Sequence, residues 1–415
     1  MANVAIIDIG KTNSRAILAD LTTRREIALR RMENRVLPGP PYPHLDVELQ
    51  AAFIFSALAA FAEVAPLSGI MVIGHGATVA LVDDDGLVLP VPDYEFAGPD
   101  ELATEYDRLR PDFAVTGSPR MPGGLNIGAQ LHWLRHRFPD RVARARHALF
   151  WPQYWTWRLT GRALSEISYA TSHGDLWSLT DGTAAGGAMA RVTGGLFPPL
   201  APAGAVAGVL RPALAAAHGL PAGIPVHVGA HDSSLALVPH AGRGPRTPAI
   251  AMSTGTWLTA FAIGVEAMPP QAAPGVMASL DIFGRLVPNF RFMAGKARAD
   301  ILAAPADLPA RPAELCRIAQ DPLTGGFRLI DGTGAPVRPG DEDPAPGLDR
   351  LLAQETIAGL RAISAQGPIH VTGPFAENRE FITALKGGWP FPIHPRSYEA
   401  SLVDQVAALF NEGQG

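Results

Sequence analysis

Cysteine occurs once in the 415 residues, at Cys316, which excludes an internal disulfide and fits a reducing compartment. Net charge is small, −5 with histidine neutral, so no global field is present to hold nucleic acid or an anionic membrane, and any bound anion must be held locally. No apolar run reaches the roughly 18 residues that cross a bilayer. No basic segment followed by an apolar stretch and a small-residue cleavage site precedes the first strand-like run. These absences lead to the expectation of a cytoplasmic protein without nucleic-acid or membrane partners. Lysine is scarce as well, three of the 34 basic residues. What the chain does have is 47% hydrophobic and 18% charged residues, a globular balance, over a length too great for one ordinary core. Two domains are expected, each large enough to bury its own interior.

One of the three lysines, Lys11, lies in the segment VAIIDIGKTNSRAILAD, residues 4–20. Residues 4–7 form an apolar, β-branched run. Gly10 permits a tight turn of positive φ, and Lys11, Thr12, Asn13 and Ser14 offer a cation with hydroxyl and amide donors. Backbone N–H groups and hydroxyls in such a hairpin bind phosphate oxygens, and Asp8, a hard anion, suits a hydrated magnesium ion. The plain alternative is an edge hairpin with a solvated turn. From Pro248 the chain repeats the pattern as PAIAMSTGTWLTAFAIG, and laying Gly10 over Gly255 puts Asp8 on Ser253 and Lys11 on Thr256. Two such hairpins imply two related half-structures facing a common phosphate chain. That arrangement resembles the actin-like ATPase superfold.

Between the hairpins, residues 51–64 have helical spacing, and 70–73 read as a strand leading into Gly74-His75-Gly76. Residues 79–82 read as a strand ending at the Asp83–Gly86 turn. The Pro-, Gly- and Asp-rich stretch 87–125 is expected to be irregular loop; 127–138 and 142–150 are expected to be helical. Strands alternating with helices in both halves favour α/β architecture.

Asp232 sits in IPVHVGAHDSSLALV where a strand, 224–228, gives way to a helix beginning at 233. It reads either as a helix N-cap or as a carboxylate that takes a proton from an attacking hydroxyl. A third glycine turn follows the strand 368–371 in PIHVTGPFAENREFITALKG, where backbone atoms and Asn378 can seat an adenosine; an ordinary strand-to-helix connection is the alternative.

The order of DIGKTNSR at 8–15, GHGATVALVDDDG at 74–86, GAHDSSLA at 229–236, STGTW at 253–257 and VTGPFAEN at 371–378 resembles the FGGY carbohydrate kinase family, over nearly the whole chain. DIGKTN with GHG and HDSS looks closest to its rhamnulose- and fuculose-type branch. The resemblance implies a two-domain actin-like ATPase (ribonuclease H-like) α/β superfold with a cleft between the domains. It implies a sugar-binding N-terminal FGGY domain, residues 1–238, and a shortened, nucleotide-binding C-terminal FGGY domain, residues 239–415. The implied activity is ATP-dependent phosphorylation of a ketose such as L-rhamnulose or L-fuculose; a sugar-binding or regulatory protein on a kinase scaffold with impaired turnover is the alternative.

By the same resemblance Asp232 is the catalytic base and Asp8 holds Mg²⁺ through water. Gly10, Lys11, Thr12 and Asn13, with Thr254, Gly255 and Thr256, grip the ATP phosphates, and Gly373, Pro374, Phe375 and Asn378 line the nucleotide site. His75, Asp93, Tyr94, Glu95 and Gln130 join Asp232 as candidates for the sugar, the one small-molecule partner implied; a homodimer is compatible with it. Each sugar candidate also reads as ordinary structure, Gln130 as an exposed helix position and His75 as a satisfied turn residue. Where the family carries consecutive glycines this chain has Pro374 and Phe375. The expectation is that the Phe375 ring narrows the nucleotide pocket and weakens ATP binding until sugar is present.

Overall fold

The computed structural model describes residues 3–411 except 243, 245, 270, 321–325, 341–342 and 396–400. They divide into two compact units, residues 1–243 with 278–286 and 400–415, and residues 244–277 with 287–399. Two later segments thus return to the first unit, which a single cut at 238/239 does not capture. The physical reason for one return is the helix Leu402–Asn411, whose Val403, Val406, Ala407 and Leu409 cover Val4, Ile6 and Ile17 of the first unit's sheet.

That sheet runs in the order Arg25–Glu33, Asn13–Asp20, Asn3–Ile9, Gly69–Gly74, Pro225–His227 and Val206–Val209, with Ala230–His231 also pairing to Gly69–Gly74. Asn3–Ile9 is buried on both faces, which is why it reads as a continuous apolar run. Ala5, Ile7 and Ile9 face one core cluster with Val72, Ile54 and Leu58, while Val4 and Ile6 face another with Met71 and Ile73. The helix Val47–Val64 begins where Asp46 accepts the Leu49 N–H at 3.0 Å. Its 18 residues have a mean hydropathy of 1.6, long and apolar enough by length and composition to cross a membrane, which corrects the expectation that no such segment exists. Here Ile54, Leu58 and Phe61 of that helix are packed into the core.

The second unit is built on the order Val276–Leu280, Leu286–Phe292, Leu258–Ile263, Ala249–Thr254, Ile369–Thr372 and Ile393–Pro395. With the edge strands Val206–Val209 and Val276–Leu280 set aside, both sheets place their strands third, second, first, fourth, fifth in chain order, and in both the first strand is antiparallel to the second and parallel to the fourth. The repeat seen in a few residues of sequence is therefore a repeat of topology. The hairpins differ by one residue: four residues separate the last pair Ile9–Ser14, three the last pair Thr254–Leu258.

Three local expectations are corrected. Residues 142–150 are not a helix; a one-turn helix, Pro139–Val142, is followed by the strand His147–Phe150, antiparallel to Val79–Val82. Phe150 stacks between Tyr169 and Phe197, each ring centroid 5.0 Å away, and this tertiary packing overrides helical spacing. The stretch 87–125 contains short helices at Gly98–Leu102, Ala103–Asp107 and Phe113–Thr116, anchored by Tyr106, whose hydroxyl donates to the buried Asp175. The helix expected from residue 233 divides into Asp232–Leu235 and Val238–Ala241.

Candidate active site

Asp8 closes the first strand directly opposite Arg15, and its Oδ2 accepts from Arg15 Nε at 2.9 Å and Nη2 at 2.6 Å. Burial lifts the Asp8 pKa above the ordinary carboxylate value; Arg15 opposes this and the charge of Asp232 adds to it, so the two carboxylates feel one another. Gly10 does not take the left-handed backbone expected of it. Its need for a bare Cα comes from the Asn13 carbonyl oxygen, which accepts the Gly10 N–H at 3.0 Å and would lie 2.9 Å from an added Cβ. Asn34, unremarked in the sequence, pins the turn: its Nδ2 donates to the Gly10 carbonyl and its Oδ1 accepts from Ser14 Oγ, each at 2.8 Å. Ser14 is thereby turned inward, while Thr12 and Asn13 are exposed.

Lys11 is engaged by the loop at 93–95. Its Nζ is paired with Asp93 Oδ1, lies 3.6 Å from Glu95 Oε2, and stands 4.7 Å from the centroid of the Tyr94 ring. Asp93 is buried and also accepts the Glu95 N–H at 3.1 Å, whereas the Glu95 side chain is 65% exposed. Lys11, Asp93, Tyr94 and Glu95 are thus brought together, and Tyr94 lies 5.6 Å edge-on to His75.

His75 is buried, with Nδ1 2.9 Å from the Gly76 carbonyl oxygen; Nδ1 is then the donor, and Nε2 is an acceptor with no protein partner. Burial pushes its pKa down to about 4. The turn that carries it is held by Tyr169, whose hydroxyl donates to the His75 carbonyl at 2.7 Å and accepts the Thr78 N–H at 3.1 Å. Tyr169 is set in turn by Glu166, a buried cap accepting the Ser168 and Tyr169 N–H groups at 3.0 Å each, with a pKa pushed up to about 7 by burial. Gly76 is required because a Cβ would come within 2.4 Å of the His173 ring and 2.7 Å of His231 Nε2. Sequence reasoning missed Tyr169, Glu166, His173 and His231; only the HD pair of the 229–236 segment could have pointed to the last. Gln130 is fully buried rather than exposed, its amide nitrogen donating to the Ala77 carbonyl at 2.6 Å and to that of Gly124.

Asp232 opens the one-turn helix Asp232–Leu235 as its first residue, not as the cap; the capping position is His231. Its Oδ1 accepts from the Ser233 N–H at 2.5 Å and the Ser233 hydroxyl at 3.1 Å, and lies 3.3 Å from His231 Nε2. The side chain keeps 42% exposure, yet the surrounding protein raises its pKa above the ordinary carboxylate value, with His75 and Arg15 opposing. An accessible carboxylate of raised proton affinity, beside a neutral histidine and the Asp8–Arg15 pair, can act as a general base.

In the second unit Thr254 uses its hydroxyl internally. It donates to the Thr372 carbonyl at 2.5 Å and accepts the Phe375 N–H at 3.1 Å, which ties the second hairpin to the glycine turn. Thr256 is exposed and Gly255 stands open, so the turn itself offers backbone and one hydroxyl to solvent. Gly373 has φ +79° and ψ −172°, and Pro374 begins the 3₁₀ turn Pro374–Glu377. Phe375 does not project into a pocket: it is buried, 5.0 Å from the Phe381 ring, which corrects the expectation that it narrows the nucleotide site. Asn378 caps the helix Arg379–Gly388 through its Oδ1, 3.0 Å from the Phe381 nitrogen.

Among the described residues no group of three or more His, Cys, Asp or Glu side chains could hold a metal ion by itself. Magnesium does not require one: it keeps several waters and is commonly held by one or two carboxylates plus substrate phosphates. Asp8, engaged with Arg15 through Oδ2 alone and repelled by Asp232, fits that limited role through Oδ1.

The repeated strand order, with a glycine turn after the first strand of each hairpin, defines a two-domain protein of the actin-like ATPase fold. The chain belongs to the FGGY family of carbohydrate kinases. Residues 113–239 match the family's N-terminal domain and residues 246–322 its C-terminal domain. The crystal structure of a carbohydrate kinase from Novosphingobium aromaticivorans is 30% identical, with a TM-score of 0.84 over 100% of this chain and 92% of that one. L-fuculokinase of Escherichia coli (strain K12) is 30% identical over 200 residues, 46% of this chain, a match that spans 40% of the relative's own length. Xylulose kinase from Rhodospirillum rubrum, at 20% identity and a TM-score of 0.71 over 98% of this chain and 89% of that one, shares the fold.

Proposed function

We propose that the chain transfers the γ-phosphoryl group of ATP to a hydroxyl of a sugar, a ketose such as L-fuculose or L-rhamnulose being the favoured acceptor. The observation that carries this reading is Asp232, an accessible carboxylate of raised pKa beside His75, whose Nε2 is an unpartnered acceptor. Asp232 takes the proton of the attacking hydroxyl. His75 Nε2 accepts a second sugar hydroxyl, and Asp93, oriented by Lys11 and the Glu95 N–H, accepts a third. The turns at residues 10–13 and Gly255–Thr256, where Thr12, Asn13 and Thr256 are exposed, contact the phosphates, and the turn at Gly373 and Pro374 meets the adenosine. Magnesium, bound with the nucleotide and held through water by Asp8, would neutralise charge on the β- and γ-phosphates. The resemblance to L-fuculokinase favours a deoxyketose. The test is ADP release coupled to a panel of ketoses, polyols and aldonates: faster release with L-fuculose or L-rhamnulose than with D-xylulose or D-gluconate is expected, and no sugar-dependent release overturns the reading.

The pH dependence follows from the base. Asp232 must be ionised to accept a proton, and its pKa is raised, so kcat/KM should fall as pH drops through a midpoint above the ordinary carboxylate value of 3.8. His75 becomes charged only near pH 4 and adds to the loss on the same acid side. A profile flat down to pH 4 would remove Asp232 from the role.

Asp8→Ala removes the acceptor for the metal's water shell and leaves Arg15 without its partner. Half-saturation by magnesium should shift upward by roughly 10- to 100-fold, the usual range for losing an outer-sphere partner, while calorimetric sugar affinity stays near wild type. An unchanged magnesium requirement would place Asp8 outside the metal's surroundings.

A further inference from the structure

Lys11 occupies the glycine turn of the first hairpin, yet its ammonium points to a loop more than 80 residues away. It is 19% exposed, paired with the nearly buried carboxylate of Asp93, 3.6 Å from Glu95 and over the Tyr94 ring. Asp93 has a single side-chain cation, Lys11, and its Oδ2 carries no hydrogen bond among the described residues. The same lysine lies within electrostatic reach of His75. A cation in a phosphate-type turn, held by the carboxylate of a sugar-type loop, has two competing anions to satisfy.

We propose that Lys11 is an exchangeable positioning residue that couples sugar occupancy to nucleotide affinity, an inference that rests on the kinase reading above. Without sugar, Asp93 and Glu95 hold the ammonium and withhold it from the nucleotide phosphates. A sugar hydroxyl donating to Asp93 stabilises that carboxylate and weakens its hold on Lys11, which then turns to the phosphates. Sugar therefore tightens nucleotide binding and, by linkage, nucleotide tightens sugar binding by the same factor. The weak sugar-free ATP binding anticipated from Phe375 thus acquires a different origin, since that ring is buried.

The experiment is calorimetric titration of the magnesium complex of the non-hydrolysable analogue AMP-PNP, with and without a saturating amount of the sugar that wild type phosphorylates fastest. Wild type should bind the analogue roughly 5- to 50-fold tighter with sugar, within the usual span of coupling between sites. Lys11→Met should bind it weakly in both conditions, with the enhancement near 1. Asp93→Asn should move the opposite way and bind it tightly without sugar. Lys11→Arg, which keeps the cation, should restore part of the enhancement. Glu95→Gln removes a charge at 3.6 Å without the direct pairing and should have a smaller effect than Asp93→Asn.

Lys11→Met retaining the wild-type enhancement, or Asp93→Asn leaving sugar-free affinity unchanged, overturns the proposal. Equal tightening by Glu95→Gln and Asp93→Asn also overturns it, since a diffuse field would then suffice. If wild type turns over a sugar yet shows no enhancement, Lys11 coupling fails and the kinase reading stands. If wild type neither transfers phosphate nor binds the analogue, both fail together.

Discussion

Asp232→Asn should lower kcat by roughly 10²- to 10⁴-fold, the range spanned by removal of a general base, with little change in sugar affinity. Asparagine retains the size and an oxygen that accepts from the Ser233 N–H, so the one-turn helix Asp232–Leu235 should persist. What is lost is the only function that needs a charge, acceptance of the hydroxyl proton. Because His231, not Asp232, stands at the capping position, a purely structural role predicts a modest loss of thermal stability and normal turnover. Comparing kcat with the melting temperature of the same variant separates the two. Near-normal turnover with the best sugar would return Asp232 to a structural role.

The second large effect is expected at the Gly373 turn, proposed above to meet the adenosine. Gly373 has a backbone of φ +79° and ψ −172°, a region that is almost exclusively glycine's and costs other residues about 1–3 kcal/mol. An added Cβ would also lie 1.9 Å from the Thr254 carbonyl oxygen, a backbone atom that cannot swing aside. Gly373→Ala must therefore shift the turn away from the strand Ala249–Thr254, breaking the bridge from Thr254 Oγ1 to the Phe375 N–H. KM for ATP should rise by at least about 10-fold, which corresponds to about 1.4 kcal/mol, while sugar affinity measured without nucleotide remains near wild type. Unchanged KM for ATP, with the fold preserved, would remove the turn from the nucleotide site.

The features legible in the sequence were those written in contiguous residues. Both hairpins, the strand before His75 and the junction at Asp232 announce themselves by short apolar runs ending in glycine. Their order carried the fold class and the family. What could not be read is what depends on distant partners. The pairing of Lys11 with Asp93 spans 82 residues, and the Tyr169 hydroxyl reaches the His75 carbonyl across 94. The direction of the Phe375 ring was equally hidden, because it is decided by Phe381 beneath it and by the Thr254 hydroxyl on its N–H. Residues 142–150 misled for the same reason: the strand His147–Phe150 exists because Val79–Val82 offers it a ladder and aromatic rings enclose Phe150.

The return of the helix Leu402–Asn411 to the first unit bears on how the protein is made. Chains emerge from the ribosome N-terminus first, and domains generally fold as units in that order. Here the strand Asn3–Ile9 is synthesised before the second unit, but one of its faces is covered by side chains of residues 403–409. Val4, Ile6 and Ile17 must wait through the synthesis of the whole second unit before Val403, Val406 and Leu409 reach them. For that interval the face is packed only by residues of the first unit such as Met71, Ile73, Leu235 and Val238, and its cover is completed last.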